Sequence, residues 1–233
     1  MNRLADKMIK LLSISVLLII NIKANSQESQ LQDSSFIYWT NNRIISFNDF
    51  QQIPDSNSIR LMTKYNVKSL ANVQIHCILD YPKNKRDMKT LGEQWYFAPV
   101  FCKSCSPILA QDSIELKYAL VYFDIAEYCT RLTRKKIAEF LNKNPSKGFI
   151  AASFPRLTDE IYNLMREMFG SFSKQVIIDK TPGSYEDWRM NVNKMLEMTK
   201  DFSTQEKDYQ RFINKKPFSD KYRVVYQLYG KNI

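Results

Sequence analysis

The chain has 233 residues, 44% of them hydrophobic, with 34 Lys and Arg against 24 Asp and Glu and a formal net charge of +10. That length and apolar content exclude a disordered or low-complexity protein and suit one domain with a sizeable core. A single histidine, His76, excludes any metal site that needs two imidazoles.

Residues 1–26 read as a secretory signal peptide. Arg3, Lys7 and Lys10 make a positive start, Leu11 to Ile20 is an apolar run broken only by Ser13 and Ser15, and Ala24-Asn25-Ser26 is a small-x-small cleavage site before Gln27. The run is shorter than the roughly 20 apolar residues that span a bilayer, so no stable membrane span is expected after cleavage. The expectation is an exported protein, periplasmic or secreted. Loss of Arg3, Lys7, Lys10 and Lys23 together with Asp6 lowers the net charge from +10 to about +7. The remaining Lys and Arg are interleaved with Asp and Glu, which reads as solvated surface and argues against nucleic acid as a partner.

After a linker at 27–35, residues 36 to 110 read as mostly strand. Phe36-Ile37-Tyr38-Trp39 leads into Arg43 to Phe50, and a polar turn follows at Pro54 to Asn57. Ile59 to Val67 and Val73 to Leu79 are the next strand candidates. In the second, Val73, Ile75, Cys77 and Leu79 alternate with Gln74, His76 and Ile78, so Cys77 points inward and His76 the opposite way. Lys83 to Lys89 reads as a charged loop, and Trp95 to Phe101 as a strand that Pro99 weakens or places at an edge. Four cysteines in an oxidising compartment permit three pairings. A local bond between Cys102 and Cys105 is the simplest, with Cys77 and Cys129 as buried thiols.

Asp112 to Lys143 reads as one long helix. Asp112 or Ser113 can cap it, with Glu115 placed as in a capping box. Tyr118, Tyr122, Ile125, Cys129 and Leu132 fall within roughly 40° of one line and form a core-facing stripe. Pro155 to Glu160 opens a second helix, with Ile161, Leu164, Met165, Met168 and Phe169 on its apolar face and Gly170 as its stop. A third runs from about Ser184 to Thr199. Ser203 and Glu206 cap a short helix to about Asn214, and Tyr222 to Tyr229 alternates like a strand. The fold class expected is α+β, a strand-rich N-terminal half packed on a helical half. One domain spans 36–200, and 201–233 forms a C-terminal extension of a short helix and a strand.

The stretch Tyr118 to Glu127, followed by Arg131 and Arg134-Lys135-Lys136, resembles the helix of a family of secreted bacterial zinc-dependent proteases. In that family the helix reads His-Glu-x-x-His-Phe-Asp-Ile-x-Glu before a basic turn. Phe123, Asp124, Ile125 and Glu127 match it as they stand. Trp39, Phe47, Asp49, Phe50 and Pro54 fit the family's N-terminal segment; Asp179, Thr181, Gly183 and Trp188 fit a later turn more loosely. The resemblance covers about residues 36–196.

Two imidazoles at i and i+4 share a helix face and bind zinc, while the intervening Glu polarises the metal-bound water. This chain has Tyr118, Ala119 and Tyr122 at those three positions, and Pro182 near the place of a further His. The resemblance therefore implies a zincin-like relic helix at about 112–143 with no metal, no cofactor and no catalytic residues. Tyr118, Ala119 and Tyr122 become a candidate binding site for a protein or peptide. The alternative is a hydrolase with an unrecognised, non-zincin site built from Tyr, Asp and Glu. An exposed aromatic groove beside Tyr118 favours binding; paired, desolvated carboxylates in a cleft favour the enzyme. Glu127 lies about 140° from Tyr122 on the helix and is expected to pair with Arg131.

Overall fold

The sheet is built on two long strands whose residues alternate between two buried faces. In the computed structural model, which describes residues 32–33, 35–143 and 149–230, the segment read as a signal peptide lies outside the described residues. From Ser35 onward the strands are β1 (Phe36–Tyr38), β2 (Val73–Pro82), β3 (Gln94–Cys102) and β4 (Tyr222–Tyr229). They pair antiparallel in the order β1-β3-β2-β4, with Cys77 opposite Phe97 and Leu228. The helices are α1 (Ser56–Tyr65), α2 (Lys85–Thr90), α3 (Ser113–Lys143), α4 (Phe149–Phe172), α5 (Ser184–Met198) and α6 (Glu206–Ile213). The architecture is α+β. Among the described residues no helix is long and apolar enough to cross a membrane.

One face of the sheet carries Ile37, Val73, Ile75, Cys77, Leu79, Phe97 and Phe101 into a core shared with α3 and α4. The Tyr162 hydroxyl on α4 donates to the Ile75 carbonyl and ties that layer to the sheet. The opposite face is covered as well. There Tyr38 stacks on Tyr209 and Phe212 of α6, with ring centroids 6.3 and 6.0 Å apart. His76 points to this face, as the alternation implies, yet it is buried among Phe36, Tyr38, Phe212 and Tyr229. The last 30 residues thus complete both the second layer, through α6, and the sheet edge, through β4.

Pro99 sits in β3, between β1 and β2, and not at an edge. Its carbonyl accepts from Trp39 N at 3.0 Å. In a strand a residue's N–H and C=O point to the same side, so the donor that proline lacks faces the chain just where β1 ends at Tyr38. The strand expected over 59–67 is corrected: residues 59–65 are helix and 66–67 follow its end. Asp55 caps α1 by accepting from Ser58 N at 2.7 Å, and Asn66 ends it in the left-handed region at φ 52°. That capping outweighs the apolar residues, since α1 buries only Ser58 and Met62. Residues 43–50 hold a 3₁₀ turn at Phe47–Asp49 instead of a strand, started by Ser46 N donating to the Asp49 carboxylate at 2.9 Å. The charged loop at 83–89 contains α2.

The long helix is buried differently from the single stripe expected. Phe123, Asp124, Ile125, Ala126 and Glu127 are all fully buried, which at 100° per residue closes the whole circumference. Its middle lies between the sheet and α5, so no polar face is left. Asp112 caps α3 by accepting from Ile114 N at 3.0 Å. Glu115 makes no capping box; its carboxylate accepts instead from Lys68 N and, at 2.6 Å, from the Ser69 hydroxyl. Helix α4 does not stop at Gly170 but runs to Phe172 and continues as a π-helical segment, Ser173–Ile178. The caps of α6 are Gln205 and Asp208, with Gln205 N donating to Asp208 at 2.8 Å. Cys102 and Cys105 form a disulfide, and Cys77 and Cys129 are buried thiols outside that bond.

Candidate functional site

From Asp112, just before α3, through its first three turns, Glu115, Ala119 and Tyr122 lie on one face with Asp112, and Tyr118, three residues from Glu115 and four from Tyr122, flanks it. That face is the floor of a groove. One wall is the irregular segment 65–73, fixed to α3 by the two bonds to Glu115 and to residues 107–109 by Leu70 N to Pro107 O at 3.0 Å. The other wall is the end of α4 and the π-helical segment, which supply Phe169, Gly170, Ser173, Ile177 and Ile178. The main cavity has a volume of about 450 Å³. A second recess of about 390 Å³ shares Tyr65, Val67, Glu115, Tyr118 and Ile177 with it and extends past Asp112 to Lys180 and Glu186.

The tyrosines are held in place from behind. Tyr122 meets Phe169 and Phe172 edge-on, both with centroids 4.9 Å away. Its hydroxyl lies 2.6 Å from Ser173 Oγ, and Ser173 donates to the Phe169 carbonyl at 2.7 Å. Ser173 has one proton, so Tyr122 is the donor to Ser173. Burial pushes the Tyr122 phenol up to about 12. Tyr118 packs against Phe172 at 5.9 Å and Tyr185 at 5.8 Å, and its phenol is raised by burial first and then by Asp112 and Glu115. Ala119 is fully buried beneath the groove.

The raised Tyr122 phenol has a consequence for stability. A group whose folded-state pKa lies above its unfolded value of about 10 holds its proton longer in the native state. Its contribution is complete below pH 10 and is lost as pH rises towards 12. Tyr122→Phe is expected to flatten the alkaline fall in thermal melting temperature between pH 10 and 12, while lowering the melting temperature slightly at pH 7 through loss of the Ser173 bond. An unchanged alkaline profile contradicts the assignment.

These donors do not fit zinc. Phenols held protonated well above neutrality, one already bonded to Ser173, are not ligands at pH 7. His76 lies on the far face of the sheet, away from the groove. The acidic residues that match the protease-like helix point elsewhere and are structural. Asp124 accepts from Trp39 Nε1 at 2.9 Å, meets Arg43, and lies 2.7 Å from Arg189. Glu127 pairs with Arg131 at 2.7 Å and accepts from Thr204 N at 2.8 Å and Thr204 Oγ1 at 2.5 Å. Arg131 in turn lies 5.0 Å from the Trp39 ring centroid and donates to the Leu196 carbonyl at 2.6 Å. Trp39, Asp124, Glu127 and Arg131 therefore lock α3 to the 39–43 loop, to α5 and to the turn before α6.

Three features of the groove were invisible in the sequence pattern. Residues 65–67 and 73 of one wall read as strand, Gly170 reads as a helix stop, and residues 173–178 carry no signal of a π-helix. Gly170 has open space where a Cβ would stand, so it lies inside the helix and opens the groove rather than ending the element. The extra residue per turn of a π-helix turns Ile177 and Ile178 towards the same space, and such segments recur at functional sites. No family model, no curated protein and no solved structure matches the chain.

Proposed function

We propose that the protein is an exported, non-catalytic relative of the zinc-dependent proteases its central helix resembles, and that it binds an extended peptide segment in the groove beside Tyr118 and Tyr122. The observation that carries this reading is that Tyr118, Ala119 and Tyr122, the three positions where the resemblance puts zinc and base chemistry, all line one groove of ligand-binding size. The wall chemistry supports binding over turnover. Tyrosines, Phe169 and aliphatic side chains dominate it, and the one carboxylate lining the main cavity among the described residues, Glu115, has its oxygens bonded to Lys68 and Ser69. Tyr rings offer large contact area at low conformational cost with a polar tip.

Gly170 supplies a test that leaves the core alone. A side chain there enters open space on the groove wall, so Gly170→Trp keeps the helix and obstructs the cavity. In the same position Ala stabilises a helix interior by about 0.5–1 kcal/mol relative to Gly. The expected result is that Gly170→Trp melts within a few degrees of the native protein and fails to retain peptides that the native protein selects from a random-sequence peptide library. Equal retention by both proteins contradicts the groove as the binding site.

A further inference from the structure

The groove has unlike ends. The main cavity, around Tyr122, Phe169 and Ile177, is apolar, with Arg166 at its rim. The recess at the other end holds Asp112, Glu115 and Glu186 against one ammonium, Lys180. This local acidity stands on a chain whose net charge is +10. Glu115 is committed to the 65–73 wall and contributes charge only; Asp112 spends one oxygen on capping Ile114, and Glu186 is exposed. Lys64 approaches from outside, its Nζ 4.9 Å from the Tyr65 ring centroid, which leaves the carboxylates in excess. The Tyr118 phenol, raised first by burial, is raised further by Asp112, Glu115 and Glu186, while at Tyr185 the cation Arg189 acts ahead of Glu186.

We infer that the groove selects an extended peptide with a large apolar side chain at one end and a Lys or Arg about four residues along, its cation held at the Asp112 and Glu186 end beside the rings of Tyr118 and Tyr185. This rests on the peptide-binding reading above. The spacing follows from geometry: Asp112 and Tyr122 are ten residues apart, about 15 Å at 1.5 Å per residue of helix. An extended chain advances about 3.3 Å per residue, so four to five residues cover the distance, and residues four apart project to the same side. The cation gains from the carboxylates and from the electron-rich faces of the rings. Arg166 disfavours a second cation at the apolar end and so sets which side chain lies at which end.

The probes are two acetylated, amidated pentapeptides, Phe first and Ser between, one with Arg fifth and the other with Glu. Affinities are read by calorimetry at low salt, with the native protein, with Gly170→Trp, and with Asp112→Asn combined with Glu186→Gln. Asn caps a helix as well as Asp, so the double variant retains its α3 terminus. The expected result is an Arg peptide bound about tenfold tighter than the Glu peptide. That ratio falls to about twofold or less in the double variant. If both peptides bind equally to the native protein and both are lost in Gly170→Trp, groove binding stands and the charge preference is overturned. If neither binds, or binding ignores Gly170→Trp, this inference and the peptide-binding reading fall together.

Discussion

Arg211→Leu is expected to destabilise the protein by about 3–5 kcal/mol, a large share of the roughly 5–15 kcal/mol by which a domain is stable. Arg211 on α6 and Asp80 on β2 are both fully buried and meet through two bonds, Nε to Oδ2 at 2.6 Å and Nη2 to Oδ1 at 2.8 Å. Asp80 stands where the register between β2 and β4 shifts. Removing the guanidinium leaves an unpaired carboxylate inside the sheet, which costs far more than the pair itself contributes. Replacing Asp80 with Leu as well is therefore expected to recover most of the loss. The urea midpoints of the single and double variants check this. A single variant within about 1 kcal/mol of native, the range of an exposed pair, contradicts it.

The second large effect is at Asp124. This carboxylate is fully buried, accepts from Trp39 Nε1 and faces both Arg43 and Arg189. It is the anion that lets two guanidinium groups approach α3. Burial already holds the Arg43 guanidinium below its usual value, with Asp124 the principal group opposing the shift. Asp124→Asn keeps the shape and removes the charge, leaving two cations facing an amide; about 3–5 kcal/mol is the expected cost. Arg43→Leu in the same chain is expected to restore part of it, because one uncompensated cation goes with the arginine. A double-mutant cycle read by urea unfolding measures the coupling. Additive losses contradict the network.

These two clusters show what the sequence could and could not disclose. Helix α3 was legible from its start signal and periodicity, β2 from its alternation and β3 from the run Trp95 to Phe101. What those patterns describe is one element at a time. The burial of His76 depends on α6, more than 120 residues away in the chain, and the all-round burial of α3 depends on α5 and on the 39–43 loop. Neither partner is implied by local spacing. Pro99 and Gly170 misled for the same reason. Each was read by its usual local meaning, yet Pro99 sits inside β3 because β1 ends beside it, and Gly170 sits inside α4 facing open space. The site was legible in part. The resemblance singled out Tyr118, Ala119 and Tyr122 as a set, but the wall that faces them belongs to residues 65–73, which lie across the ends of two strand candidates and the unassigned stretch between them. Asp124 and Glu127, the acids that match the protease-like helix, turn out to be bonded to tryptophan, arginine and threonine side chains rather than aimed at the groove.

The most direct measurement is the position of bound peptide on the protein. A peptide pool selected by the native protein, each member carrying one benzophenone side chain, is irradiated in the complex, and the cross-linked residues are mapped by mass spectrometry. The account predicts cross-links on the first three turns of α3, on residues 65–73 and on residues 166–178, suppressed in Gly170→Trp. Cross-links confined to another surface, such as the β4 edge at Tyr222–Tyr229, and unchanged in that variant, contradict it.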